Sequence, residues 1–252
     1  MTATPIALVT GANRGLGQSI ALALSRSGHR IVAAHRPGGD ISETLSRIAD
    51  AGGEAVSMAI DLTDVAHIRG AAASLDGLLA QHWRRSHLDV LVNNAGVGVF
   101  GGIEAIAPGD FDLQFATNLR GAFFLIQSLL PLLDGGGHVI NVSTSLTRHV
   151  SPETALYAAS KAAVETLSRS LAGELGPRGI RVNSIAPGPA ATDFNGGAMR
   201  DSGDMRAWIA EHTALGRVAD PADIGDAVAA MASRDMRWVT GERIEVSGGA
   251  FL

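Results

Sequence analysis

The 252-residue chain has no cysteine, which excludes disulfides, thiol catalysis and Cys-ligated zinc. Its eight histidines show no HExxH or comparable spacing, so no metal site is expected. No apolar run approaches the roughly 18 residues needed to span a bilayer. Positive charge is not in excess: the net charge is −5, which gives no electrostatic case for binding nucleic acid. The stretch MTATPIALVTGANRG has no basic region and no cleavage site. It reads as a first strand rather than a signal peptide, and a soluble, cytoplasmic chain is the expectation. Tyrosine and lysine are the scarcest residues after cysteine, with one of each against 19 arginines.

These two rarities sit together in Tyr157-Ala158-Ala159-Ser160-Lys161. Positions i and i+4 share a helix face, so phenol and ammonium can reach one site. An ammonium near a phenol favours the phenolate and is expected to lower the tyrosine pKa, giving a proton donor and acceptor. The alternative is an exposed pair on a solvated helix face.

Apolar runs of strand length alternate with amphipathic stretches. The strand candidates are Ile6–Thr10, Arg30–Ala34, Ala55–Ile60, Leu88–Asn93, Gly137–Ser143, Ile180–Ile185 and Arg243–Val246. Helices are expected near 15–28, 41–51, 64–82, 109–133, 153–175 and 220–233. Continuous apolar strands separated by helices predict one α/β domain, a doubly wound, parallel, seven-stranded sheet covered on both faces, the Rossmann fold. No linker divides the chain. The stretch 189–213 is less regular and follows a strand end, the position of a lid over a ligand.

The first strand runs into Thr10-Gly11-Ala12-Asn13-Arg14-Gly15-Leu16-Gly17 and then a helix. Glycines let the backbone approach a pyrophosphate, and a helix N-terminus favours its charge. The second strand ends in His35-Arg36, without the acid that would bind ribose hydroxyls of NAD(H). Arg36 and Arg14 suit a 2′-phosphate, so NADP(H) is expected in preference to NAD(H).

The spacing G-x-x-x-G-x-G together with Y-x-x-x-K resembles the short-chain dehydrogenase/reductase family, from about residue 5 to the C-terminus. Matching pieces follow in order: Asp61-Leu62 after the third strand, Asn93-Asn94-Ala95-Gly96 at the end of the fourth, Asn118 in the next helix, and Pro187-Gly188 with Thr192 after the sixth. The resemblance implies NADP(H)-dependent interconversion of a carbonyl and an alcohol, with 3-oxoacyl-carrier-protein reductases and ketone or sugar reductases as similar members. It implies that Asp61 and Leu62 line the adenine, that Asn93, Ala95 and Gly96 flank the cofactor, and that Pro187, Gly188 and Thr192 hold the nicotinamide end. Tyr157 would be the acid or base, Lys161 would bind the ribose, and Asn118 would hold a relay water. A homotetramer or homodimer packed through helices 109–133 and 153–175 is also implied.

The family has a serine thirteen positions before the tyrosine. This chain has Thr144, inside Ser143-Thr144-Ser145. A threonine hydroxyl makes the same hydrogen bonds. Strand alternation sets Thr144 apart from its neighbours, and Ser145 is the alternative if the backbone shifts. Substrate contacts are expected from Val97, Phe100, His149, Val150, Phe194 and the 189–213 stretch. Lys161→Arg is expected to fold normally and lose most turnover, because a planar guanidinium replaces a compact ammonium poorly. The other functional class is a catalytically silent NADP-binding regulator, against which Asn118, Tyr157 and Lys161 together argue.

Overall fold

Seven strands pair in the order β3-β2-β1-β4-β5-β6-β7, all parallel. They are β1 (Ile6–Thr10), β2 (Arg30–His35), β3 (Ala55–Ala59), β4 (Val90–Asn93), β5 (His138–Val142), β6 (Arg181–Pro187) and β7 (Arg243–Val246). The computed structural model describes residues 4–252. The expected strands all form, with ends shifted by one or two residues. The helices are α1 (Gly15–Arg26), α2 (Ser42–Asp50), α3 (Val65–Trp83), α4 (Pro108–Phe115), α5 (Ala122–Leu133), α6 (Ala155–Leu175), α7 (Ala198–Asp201), α8 (Gly203–Glu211) and α9 (Pro221–Ala232). None of them is long and apolar enough to cross a membrane.

Alternation along each strand sends neighbours to opposite sheet faces. Leu8, Val32, Leu91 and Val139 pack under Ile68 and Leu75 of α3, Leu125 and Leu129 of α5, and Leu175 of α6. Val9, Ile31, Val92 and Ile140 pack under Ile20 and Leu24 of α1, Ile48 of α2, and Ile224 and Val228 of α9. Both faces are therefore buried, as continuous apolar strands require. Between β1 and β4 the winding reverses, the point at which such sheets bind ligands beyond the strands' C-terminal ends.

The stretch expected as one helix over 109–133 is divided. A π-helical turn, Ala116–Gly121, separates α4 from α5. Pro108 starts α4 at a position where no N–H is needed. The wider turn holds Asn118 inward, and Gly121 lies so close to Leu62 that a Cβ there would stand 2.6 Å from the Leu62 carbonyl oxygen.

Candidate active site

At the reversal point, β1 ends in a turn that only glycine can make. Gly11 has φ +65°, and a Cβ on Gly17 would fall 2.0 Å from the Gly11 carbonyl oxygen. The turn is stitched to β4: the Thr10 hydroxyl accepts the N–H groups of Asn94 and Ala95, each at 3.0 Å, and the Asn94 amide donates to the Thr10 carbonyl at 2.8 Å. Arg14, at the N-cap, gives α1 no side-chain cap, and its first turn holds no acid. A close backbone approach beside a helix N-terminus that carries no acid of its own suits an anionic group, and the Asp193 carboxylate stands against Gly15 there. Asn13 and Gly15 line the turn, while Leu16 packs down onto the α1 core.

The residues expected at the adenine end lie at the C-terminal ends of β2 and β3. The His35 ring contacts the Arg36 carbonyl at 3.1 Å, and Arg36 is exposed. Asp61 accepts from the Thr63 hydroxyl at 2.7 Å and its N–H at 2.9 Å. Those bonds hold its carboxyl below the usual range, with smaller help from His67 and Arg36. Leu62 is buried. Arg14 does not stand free: its guanidinium pairs with Asp193 from the 189–213 stretch. Asn93 turns its side chain into the sheet, donating to Asn141 at 2.8 Å, so its backbone is what it offers at the strand's end.

The acid–base group forms at the mouth of β4 and β5. Lys161, one turn beyond Tyr157 on α6, is buried and donates to the Val142 carbonyl at 2.7 Å. Burial lowers its ammonium from 10.5 to about 8. A Cβ on Gly96 would lie 3.3 Å from its Nζ and 3.1 Å from Asn118 Oδ1, which puts loop, lysine and asparagine around one point. Asn118 clamps that loop from both sides. Its Oδ1 accepts from Val97 N–H and its Nδ2 donates to Val97 O, both at 2.9 Å, with a further bond to Ser160 Oγ at 3.1 Å.

The Tyr157 phenol is buried, and loss of water raises its pKa above the ordinary value; the nearby Thr144 hydroxyl opposes the rise. The expected lowering by Lys161 is therefore not what dominates in the free protein. The Nζ lies 5.9 Å from the phenol ring centroid, and desolvation of a phenolate outweighs the attraction. Thr144 is the hydroxyl brought to Tyr157. Ser143 donates to Glu165 at 2.6 Å, and Ser145 enters a 3-10 turn, Ser145–Thr147.

Phe100 and Phe194 wall the tyrosine, with ring centroids 5.3 and 5.7 Å from it. Val97 lies in the loop clamped by Asn118. Val150 is almost fully exposed. His149 instead packs at a tilt on Phe251 at 4.7 Å, and Phe251 also meets Trp208 of α8 and His212 just beyond it. Pro187 and Gly188 end β6, with Gly188 pressed against Ser247. Thr192 is buried and accepts from Phe194 N–H at 3.3 Å. Gln114 was not foreseen. It is fully buried on α4 and accepts from Val99 N–H at 2.6 Å, fixing the loop that carries Phe100. Its place four residues before Asn118 was the available signal.

Residues 11–250 match the family described as Enoyl-(Acyl carrier protein) reductase. An uncharacterized oxidoreductase of Methylorubrum extorquens is 38% identical over 97% of this chain and 96% of that one. The trihydroxynaphthalene reductase of Colletotrichum orbiculare is 33% identical over 98% of this chain and 89% of its own. Among solved structures, the angucycline C-6 ketoreductase LanV with bound NADP superposes with a TM-score of 0.92 at 37% identity, covering 99% of this chain and 96% of that chain. The promiscuous reductase LugOII, which catalyses keto-reduction at C1 in lugdunomycin biosynthesis, superposes with a TM-score of 0.93 at 33% identity, covering 99% of both chains. The chain belongs to the short-chain dehydrogenase/reductase family of oxidoreductases.

Proposed function

We propose that the chain is an NADP(H)-dependent oxidoreductase that interconverts a ketone and an alcohol on a fused aromatic substrate. The observation that carries the reading is the convergence of Thr144, Tyr157, Lys161 and Asn118 beside Gly96, next to the glycine turn. A bound nicotinamide supplies the hydride and takes it back. In reduction Tyr157 gives its proton to the carbonyl oxygen, and Thr144 donates a hydrogen bond to the same oxygen. Lys161 binds the cofactor ribose and stabilises the phenolate left behind; Asn118 holds the loop and the water that returns a proton. Asp61 and Leu62 line the adenine, and Pro187, Gly188 and Thr192 hold the nicotinamide end.

The aromatic substrate class is supported by Phe100 and Phe194, whose rings flank Tyr157 and offer a flat ketone two apolar faces. The similarity to a landomycin C-6 ketoreductase and to a trihydroxynaphthalene reductase, the latter acting on a fused aromatic, supports it. The stretch 189–213, which carries Phe194, serves as the lid. The test follows NADPH absorbance with a hydroxylated tetralone, an acetoacetyl thioester and a ketose. Fastest turnover of the tetralone is expected. Preference for the thioester would select the 3-oxoacyl-carrier-protein reading instead. Tight NADPH binding without turnover of any would leave a silent regulator.

Cofactor choice rests on Arg14 and Arg36. Asp193 competes with a 2′-phosphate for Arg14, so Asp193→Asn is expected to lower the KM for NADPH about two- to fivefold, the scale of an exposed ion pair, and to leave that for NADH unchanged. Equal change for both cofactors would show that Arg14 does not read the phosphate. A homotetramer or homodimer, acting in the cytoplasm, completes the reading. The exposed Phe111, Leu113 and Phe123 of α4 and α5 supply an apolar face for a second copy. Light scattering reads that assembly.

A further inference from the structure

Glu165 stands one turn beyond Lys161 on α6, buried to 8% exposure. Its Oε1 accepts from Ser143 Oγ at 2.6 Å, Thr147 Oγ1 at 2.7 Å and Arg243 Nε at 2.7 Å. Arg243 arrives from β7, 78 residues along the chain. Its remaining N–H groups reach Glu245 Oε2 at 2.6 Å, Thr147 Oγ1 at 3.0 Å and the backbone carbonyl of Thr144 at 3.2 Å. The pair thus grips the residue before Thr144, the residue three after it, and Thr144 itself. Neither side chain is bonded to Tyr157 or Lys161.

Threonine makes that grip matter. Its χ1 is stiff, so the backbone position sets where Oγ1 points; a serine would rotate to suit. Thr144 Oγ1 already accepts from Leu146 N–H at 3.3 Å, which leaves its own proton to be donated toward the phenol. A buried ion pair is a poor device for stability alone, since desolvation offsets most of its attraction. We infer that Arg243 and Glu165 form a positioning pair that holds the Thr144 hydroxyl on the reacting oxygen. The inference rests on the proposed role of Thr144.

The experiment uses the full-length double variant Glu165→Met, Arg243→Met, made in a Glu245→Gln background because Arg243 also pairs with Glu245 at 2.6 Å, together with Arg243→Lys. The double variant is expected to fold, to bind NADPH as the parent does by cofactor fluorescence, and to lose kcat about 10- to 100-fold, the scale of a small misplacement. The rising, acid-side limb of its pH–rate profile in alcohol oxidation should shift to higher pH, because the phenolate that acts as base loses a donor while Lys161 is unchanged. Arg243→Lys keeps the charge on Glu165 but cannot also reach Thr144 O; it should restore melting temperature and not kcat. Placing the double variant in a Thr144→Ser background should shrink its effect severalfold. Parent-like kcat in the double variant, NADPH binding lost in proportion to kcat, or full rescue by lysine would each overturn the pair's role. Normal turnover in Thr144→Ala would instead remove the reading beneath it. Thr144→Ala inactive with the double variant at parent speed would remove the pair alone.

Discussion

Lys161→Met is expected to be more stable than the parent at pH 7 and to turn over on the order of a thousandfold more slowly. The parent buries an ammonium whose pKa falls from 10.5 to about 8. Below pH 8 the folded and unfolded chains both hold the proton, so the folded chain bears the full desolvation penalty, roughly 3 kcal/mol by linkage. Methionine removes the charge and keeps the stem. After about 1 kcal/mol for the lost bond to the Val142 carbonyl, roughly 2 kcal/mol of stabilisation remains. As pH rises from 8 toward 10.5, the folded parent sheds its proton first and recovers the difference. Urea midpoints at pH 7 and pH 9.5 should therefore converge, chiefly because the parent gains. The range ends near pH 10, where Tyr157 ionises in the unfolded chain while burial keeps it neutral in the folded one. A Lys161→Met chain less stable than the parent at pH 7 would show that the ammonium is not strained by burial.

The same burial corrects the expectation for Lys161→Arg. A guanidinium cannot shed its proton at any accessible pH, and Lys161 is only 4% exposed, beside Gly96 and Asn118. Arginine there should lower stability as well as turnover. Scarcity of lysine marked the position, but burial is a tertiary property that a motif does not disclose. For the same reason the sequence suggested a lowered phenol pKa, where desolvation raises it.

The strands were legible because both sheet faces are covered, which makes their apolar runs continuous. The glycine turn was legible because Gly11 and Gly17 leave no room for a Cβ. The π-turn around Asn118 was not, since a single turn of about 100° phase shift is too short to separate from ordinary scatter in which residues are apolar; Gly121 was its one trace. Nor could Arg14 be seen to meet Asp193, or Arg243 to meet Glu165. Contacts between loops or between β7 and α6 depend on how the whole chain closes.

Thr144→Ala is expected to lower kcat/KM by about 10²- to 10³-fold, the usual effect of removing one preorganised donor at a reacting oxygen, whereas Ser145→Ala should change it less than about threefold. Strand alternation separates the two residues, and the structure keeps them separate. Thr144 is extended, with φ −159°, and its hydroxyl is the side-chain group that opposes the rise of the Tyr157 pKa. Ser145 begins the turn whose carbonyl receives the N–H groups of Arg148 and His149. The Ser145 variant should instead show a modest stability loss, because that residue is buried. Thr144→Ser separates hydroxyl from methyl: it keeps the donor and frees χ1, so turnover should stay within about tenfold of the parent. Steady-state kinetics of the three variants with NADPH decide the assignment. If Ser145→Ala were the inactive one, the hydroxyl beside Tyr157 in the free protein would not be the one that meets the substrate, and the backbone through Ser143-Thr144-Ser145 would have to shift when the site fills.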